Sequence, residues 1–449
     1  MMNNDDNESK NKYLNAYSLT GIGIGSLIGA GFFLGSSLAL NQAGPSVVFA
    51  YLLGGAIMSQ VLGAMTSIGI NRSSNRTFRY FSEELLGPYI GTLLGWCVFV
   101  SGILTVCSEA IASGVFLSYW FPHVPLTALA YSVLFTVIGI NAFGIKKLGF
   151  VESGMSFVKI SALILFVILG VRFIFLNGTP VVPTPLSGFQ AFFPNGISGI
   201  LQSMLIVIFS YGGVSAVAMA SSEVKDPKRD IPKASIMMTL GITFLYSASS
   251  ILLAFLYRWD LLNTSESPFV TAFTVIGIQS ASSIMNTIIL ISTISVMMAS
   301  FYSCTRMLVS LSRKNKALIV FAKTTQHMFY RNAWVFVSAV MILIVGISYF
   351  VKGNLFSYLI SACSYFTFLN WSVNLLTYLT WRKRCSGEEV YRSPLMAGKI
   401  GAVAALLSIL ILVVFSLKTK DFRIGFYVAF AISSIISLVY WSRKIKKIY

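Results

Sequence analysis

Two charged side chains fall well inside apolar stretches of this 449-residue chain, Glu109 in "CSEAIASG" and Lys159 in "SFVKISAL". A charge in hydrocarbon is expensive, and by default it marks a site that binds a solute, carries a proton or pairs with a neighbouring helix. For Glu109 these three roles stand side by side. For Lys159 the alternative is an ammonium that snorkels along its methylene stem to the water interface. A second chemistry belongs to the backbone. "GIGIGSLIGAGFF", Gly21 to Phe33, holds five glycines in thirteen residues of an apolar run. Glycine is the poorest helix former after proline. A helix interrupted at Gly29-Ala30-Gly31 frees N–H groups at the positive end of a half-helix, where a carboxylate is favoured. The competing reading is that small residues let two helices approach closely.

These residues need elements to hold them, and composition says which. Hydrophobic residues make up 56% of the chain and charged residues 11%, against about 45–50% and about 25% in ordinary soluble domains. Such a chain is a polytopic membrane protein. Twelve apolar stretches are long enough to cross a hydrocarbon core of roughly 30 Å. They lie near 17–40, 46–69, 91–119, 125–143, 152–176, 196–222, 234–257, 269–305, 333–351, 355–381, 399–417 and 424–441. The eighth exceeds one crossing, so its outer part is expected to be a surface helix. With an even number of spans both termini share one side, and that side collects 26 of the 33 Lys and Arg residues, against six opposite. The positive-inside rule then makes both termini cytoplasmic in a multi-pass protein of the cell membrane.

The net charge of +18 reads as this topology signal and as attraction to anionic lipid heads. No aromatic–basic motif speaks for nucleic acid. The N-terminal "MMNNDDNESKNK" lacks the basic start and cleavage site of a signal peptide, so the first span is expected to be retained. The five cysteines, Cys97, Cys107, Cys304, Cys363 and Cys385, show no metal-ligand spacing and read as small core residues. No metal or cofactor is expected. Two histidines, His123 and His327, fall in loops, and neither HExxH nor GxSxG occurs. An enzyme is therefore not expected.

A second interruption sharpens the first. The sixth span carries "FSYGGVSAV", with Gly212 and Gly213 at its centre. Breaks in spans one and six are what two inverted five-helix repeats would produce, and such repeats place a substrate at the midplane between them. The expected fold is all-α with twelve transmembrane helices, of which helices one and six are discontinuous. A tail over 1–16 precedes a ten-helix core over 17–381, built of repeats 17–176 and 196–381; helices eleven and twelve follow over 382–441, and a basic tail over 442–449.

"GIGSLIGAGFFLGSSLALNQAGPSVVFAYLL" resembles the first-span signature of the amino acid–polyamine–organocation superfamily, in particular its bacterial amino acid permease branch. "RTFRYFSEELLGPYIGTLLGW", "EAIASGVFLSYWFPHVPL", "SYGGVSAVAMASSEVKDPKRDIPKA", "SPFVTAFTVIG" and "FYSCTRMLVSL" are similar to the same branch, in the same order, and the resemblance spans about residues 17–385. It implies the inverted-repeat fold and the uptake or exchange of amino acids. By resemblance, the backbone of Ser26, Ile28, Gly29, Ala30 and Gly31 holds the substrate carboxylate. Carbonyls around Phe209, Tyr211, Gly212 and Gly213, and in the first span, take its ammonium. Phe209 and Tyr211 are either an aromatic lid or ordinary packing. Lys159 matches the fifth-span lysine of sodium-independent, proton-dependent relatives, where it stands in for a sodium ion between spans one and eight. Where many relatives carry glutamate after the glycine pair, this chain has Val214 and Ser215. That departure favours a neutral substrate and leaves Lys159 and Glu109 as the titratable coupling candidates. Glu223, Asp226, Arg229 and Asp230 read as gate or loop-bracing charges. The expectation is a permease importing a neutral amino acid with protons; an exchanger and a non-transporting amino acid sensor are the alternatives.

Overall fold

The computed structural model describes residues 15–72, 78–142, 148–177, 188–214, 224, 226–262, 265–275, 277, 279–313, 316–324, 329–351, 354–385 and 390–445. Ser215 and Glu223, singled out above, lie outside the described residues. Helices dominate from the first described residues. Helix α1 (Ala16–Leu27) starts on Asn15, whose side chain accepts from the Ser18 N–H at 2.8 Å, so one of the unpaired donors of the first turn is satisfied. After Ile28 and Gly29, both extended, come α2 (Ala30–Phe33) and α3 (Gly35–Ala43). Gly44, at φ 60°, and Pro45 then turn the chain into α4 (Val47–Asn71). The short amphipathic α5 (Phe78–Leu86) leads through Gly87, at φ 99°, to α6 (Pro88–Ser118). Proline at the first helical position suits α6, because its missing N–H would be unpaired there anyway.

Helices α7 (Leu126–Ala142), α8 (Leu148–Asn177) and the short α9 (Gly188–Phe192) follow. Helix α10 (Gly196–Ser210) stops at Tyr211 and gives way to a 3₁₀ turn over Gly212–Val214. Asp226 caps α11 (Pro227–Leu256), accepting from the Arg229 N–H at 3.4 Å. The long eighth stretch resolves into two helices, α12 (Pro268–Val275) and α13 (Gln279–Arg313); the short one is separate, but it is not the surface helix expected, because Phe269, Val270, Ala272 and Phe273 are buried. Helices α14 (Arg331–Gly346), α15 (Leu355–Arg384), α16 (Gly398–Ser416) and α17 (Lys420–Ile445) complete the chain.

Among the described residues there are nine segments long and apolar enough to cross a membrane, with α2 to α4 taken as one segment. The apolar α7 is shorter than these. Helix α6 packs against α13 and α15, and α4 against α11. Helix α1 lies between α8 and α11. The break after α1 is therefore enclosed by helices distant in sequence, and its backbone needs partners from them.

Candidate functional site

The interruption between α1 and α2 is held by side chains from several other helices. Glu109, on α6 and 2% exposed, turns both carboxylate oxygens to the Ala30 N–H, at 3.1 and 2.9 Å. Lys159, on α8 and 0% exposed, donates to the Gly25 carbonyl at 2.8 Å and to the Ser295 hydroxyl on α13 at 3.0 Å. The Glu109 carboxyl thus sits at the free N–H end of the second half-helix and the Lys159 side-chain nitrogen at the carbonyl end of the first, each on the side where a charge of its sign would match the partial charge of the broken helix. Snorkelling is not what Lys159 does here, because its Nζ lies inside the protein on two oxygen acceptors.

The second interruption meets the first. Ser210, the last residue of α10, donates to the Gly31 carbonyl at 2.8 Å. In return, Ser26 of α1 donates to the Gly213 carbonyl at 3.3 Å. Tyr246 on α11 joins both: its hydroxyl lies 2.9 Å from the Leu27 carbonyl and 3.3 Å from that of Ser210. Each of these carbonyls would otherwise be an orphan acceptor at the end of a half-helix in a dry setting.

Close approach explains the glycines better than helix propensity does. A Cβ on Gly31 would fall 2.5 Å from the Phe209 ring, and one on Gly29 would fall 2.6 Å from a Glu109 carboxylate oxygen. A Cβ on Gly213 would meet the Ser26 carbonyl oxygen at 2.5 Å. At Gly212 the nearest atom would be the Thr367 hydroxyl, 3.8 Å away, so this glycine is less crowded. Phe209 is pressed on Gly31, while Tyr211 is fully buried and donates to the Tyr51 carbonyl at 3.0 Å.

All the substrate-site candidates within the described residues therefore converge on one place: Ser26, Ile28, Gly29, Ala30 and Gly31 from one break, and Phe209, Tyr211, Gly212 and Gly213 from the other. Sequence reading missed Ser210 and Tyr246, hydroxyl donors to carbonyls of the breaks, and Ser295, whose hydroxyl accepts from Lys159. It also missed an aromatic cluster beside the break. There the Phe32 and Tyr246 rings stack at 3.9 Å, with Tyr51 edge-on to Phe32 at 5.5 Å and Phe269 tilted at 5.3 Å. "FFLG" and "FLYSASS" look like ordinary apolar stretches, and no local signal sets these residues apart. Asp226 and Arg229 are solvent-exposed, Asp230 is half-buried, and Asp226 caps α11.

This chain is similar to several proteins of Bacillus subtilis (strain 168). It is 30% identical to a gamma-aminobutyric acid permease over 386 residues, covering 85% of this chain and 82% of that protein. It is 30% identical to the uncharacterized amino acid permease YvbW over 391 residues, 86% and 88% of the two chains. To the amino-acid permease AapA it is 27% identical over 365 residues, 80% and 79% of the two. The model of the family described as Amino acid permease matches residues 19–448, and with two broken helices meeting at one buried site inside that match, the chain belongs to the amino acid permease family.

Proposed function

We propose that this membrane transporter imports a neutral amino acid into the cell by alternating access, with protons as the coupling ion. The observation that carries the reading is the Lys159 ammonium, held between the Gly25 carbonyl of α1 and the Ser295 hydroxyl of α13. A covalently supplied cation that ties the first broken helix to the eighth span removes the need for a bound sodium ion there. A proton lost from Lys159 would weaken that tie. Release of α1 from α13 is then the step that protonation state controls.

Recognition of the zwitterion follows from the breaks. The substrate carboxylate is assigned to the N–H groups around Gly29 to Gly31, and its ammonium to carbonyls around Phe209 to Gly213. Glu109 already engages the Ala30 N–H, so an arriving carboxylate has either to share that donor or to displace Glu109. Displacement frees Glu109 to take a proton. The reading of a neutral substrate rests on Ser215 where many relatives have a carboxylate. The overall architecture that goes with this mechanism is twelve spans in two inverted five-helix repeats followed by two further helices, with both termini cytoplasmic.

The test is counterflow of labelled amino acids into proteoliposomes. Flux of leucine, phenylalanine or alanine, with weak competition by lysine, is expected, independent of sodium; net uptake without preloading should follow an inward proton gradient and collapse with a protonophore. Competition by lysine alone would overturn the neutral substrate and make Glu109 the partner of a cationic side chain. Exchange is the second reading, favoured by the missing sixth-span carboxylate; counterflow from preloaded amino acid, with no net accumulation on an imposed proton gradient, would establish it. Saturable binding without flux of any amino acid would mark a sensor instead.

A further inference from the structure

Away from the breaks, α15, α16 and α17 enclose a groove of about 470 Å³. Its walls are aromatic and aliphatic, including Tyr365, Phe368, Leu410, Phe426 and Phe430. Leu410 and Phe430 are 61% and 63% exposed, so the groove opens sideways onto the membrane-facing surface. It begins at Tyr365, Val413 and Phe426, and runs away from the α16–α17 turn toward Ser372, Leu406 and Ser433. From Phe426 to Ser433 it follows about 10 Å of helix.

The turn at its mouth is basic. Lys418, Lys420 and Arg423 are exposed there, with Asp421 as the acidic residue among them. These three make up half of the six Lys and Arg residues that the sequence places opposite the basic face. Val413 precedes Lys418 by five residues and Arg423 precedes Phe426 by three, so the charges lie within about 7 Å and 5 Å of helical rise from the groove. The Lys418 ammonium sits 4.6 Å over the Phe415 ring, which holds it at the turn.

We propose that this is a binding site for an anionic phospholipid, with an acyl chain in the groove and the phosphate on Lys418, Lys420 and Arg423. The lipid belongs to the leaflet that carries the α16–α17 turn, the outer one under the orientation proposed above. An apolar groove opening onto hydrocarbon takes either an acyl chain or another helix. A second copy of this chain is the poorer occupant, because a two-fold contact repeats the same patch on both partners. It would set one net-positive turn beside the other, and like charges facing each other are penalised.

Native mass spectrometry of the purified full chain, after incubation with vesicles of phosphatidylglycerol or of phosphatidylcholine, tests the site. One phosphatidylglycerol should be retained per chain, in preference to phosphatidylcholine by on the order of tenfold. The Lys418→Gln, Lys420→Gln, Arg423→Gln triple variant should lose the preference while keeping residual retention. Lys418→Arg with Lys420→Arg should preserve the preference, which controls for folding. Leu410→Trp, by filling the groove at an exposed position, should reduce retention of both lipids. Equal retention of the two lipids by the unaltered chain, or a preference that survives in the triple variant, would overturn the proposal. So would unchanged retention in Leu410→Trp, or a dimer that this variant splits while lipid stays bound, since the occupant would then be a second copy. Counterflow reads the transport site independently, so neither reading falls with the other.

Discussion

The two interruptions are built differently although they touch. At the first, between α1 and α2, side chains from three other helices engage the backbone: Glu109 the Ala30 N–H, Lys159 the Gly25 carbonyl and Tyr246 the Leu27 carbonyl. At the second, after α10, the partners come from the first break and from α11: Ser26 reaches Gly213, and Tyr246 reaches Ser210. The first break carries Glu109 and Lys159; a Cβ at Gly212 in the second would meet only the Thr367 hydroxyl, at ordinary contact distance. Under the proposed mechanism, coupling would belong to the first break, where titratable groups grip the backbone, and accommodation of the substrate body to the second, where Gly212 is less crowded.

Removing the cation should have the largest effect. Lys159→Ala leaves the Gly25 carbonyl and the Ser295 hydroxyl without their shared donor, and accumulation driven by a proton gradient in proteoliposomes is expected to vanish. Preserved accumulation in the alanine variant would reduce Lys159 to a brace and erase the contrast between the breaks.

Gly31→Val comes next. Its added carbons would enter the Phe209 ring, and if overpacking of about 1–3 kcal/mol falls on the binding-competent conformation, affinity drops by roughly fivefold to about 150-fold. A thermal-shift titration with the preferred amino acid reads this, because ligand binding raises apparent stability by mass action. Membrane insertion of the variant should be normal. Unchanged affinity would move the carboxylate site away from the first break.

Tyr246→Phe keeps the stack on Phe32 but leaves two buried carbonyls without the hydroxyl. The penalty for a buried polar group left unpaired is about 1–3 kcal/mol, which predicts a lower unfolding temperature and slower counterflow together. Slower counterflow at unchanged stability would mean that the hydroxyl serves the moving cycle rather than the resting structure.

The smallest effect is expected at the other break. Gly212→Ala adds a methyl 3.8 Å from the Thr367 hydroxyl, an ordinary van der Waals contact, so affinity for alanine should change by less than about twofold, within the usual scatter of benign substitutions. Larger substrates should suffer more than alanine does, which would sharpen the assignment of this break to the substrate body. An equal loss for all substrates would argue instead that Gly212 matters to the backbone alone.

Much of the frame was legible along the chain because the membrane imposes a length and a polarity that show up in any window of about twenty residues. The helices α4, α6, α8, α11, α13 and α17 all lie where apolar stretches were expected. The split between α12 and α13 was foreshadowed only by excess length. Glycine placement exposed both breaks, since Gly31 and Gly213 admit no Cβ. Phe209 and Tyr211 were visible as residues flanking a break, but whether they formed a lid or packing was not. Their contacts depend on Gly31 and Tyr51, from other spans.

What the sequence determined by itself is where this chain crosses the membrane, where its helices cannot continue, and which two charges have no business in hydrocarbon without a task. Those are local properties, fixed by hydropathy, by the missing Cβ of glycine and by the cost of burying an ion. Which backbone group each charge holds was decided only by the fold. Glu109 meets Ala30 across 79 residues and Lys159 meets Gly25 across 134. Ser210 and Tyr246 acquired their roles in the same way, because a hydroxyl becomes a partner only when packing brings an orphan carbonyl within about 3 Å of it.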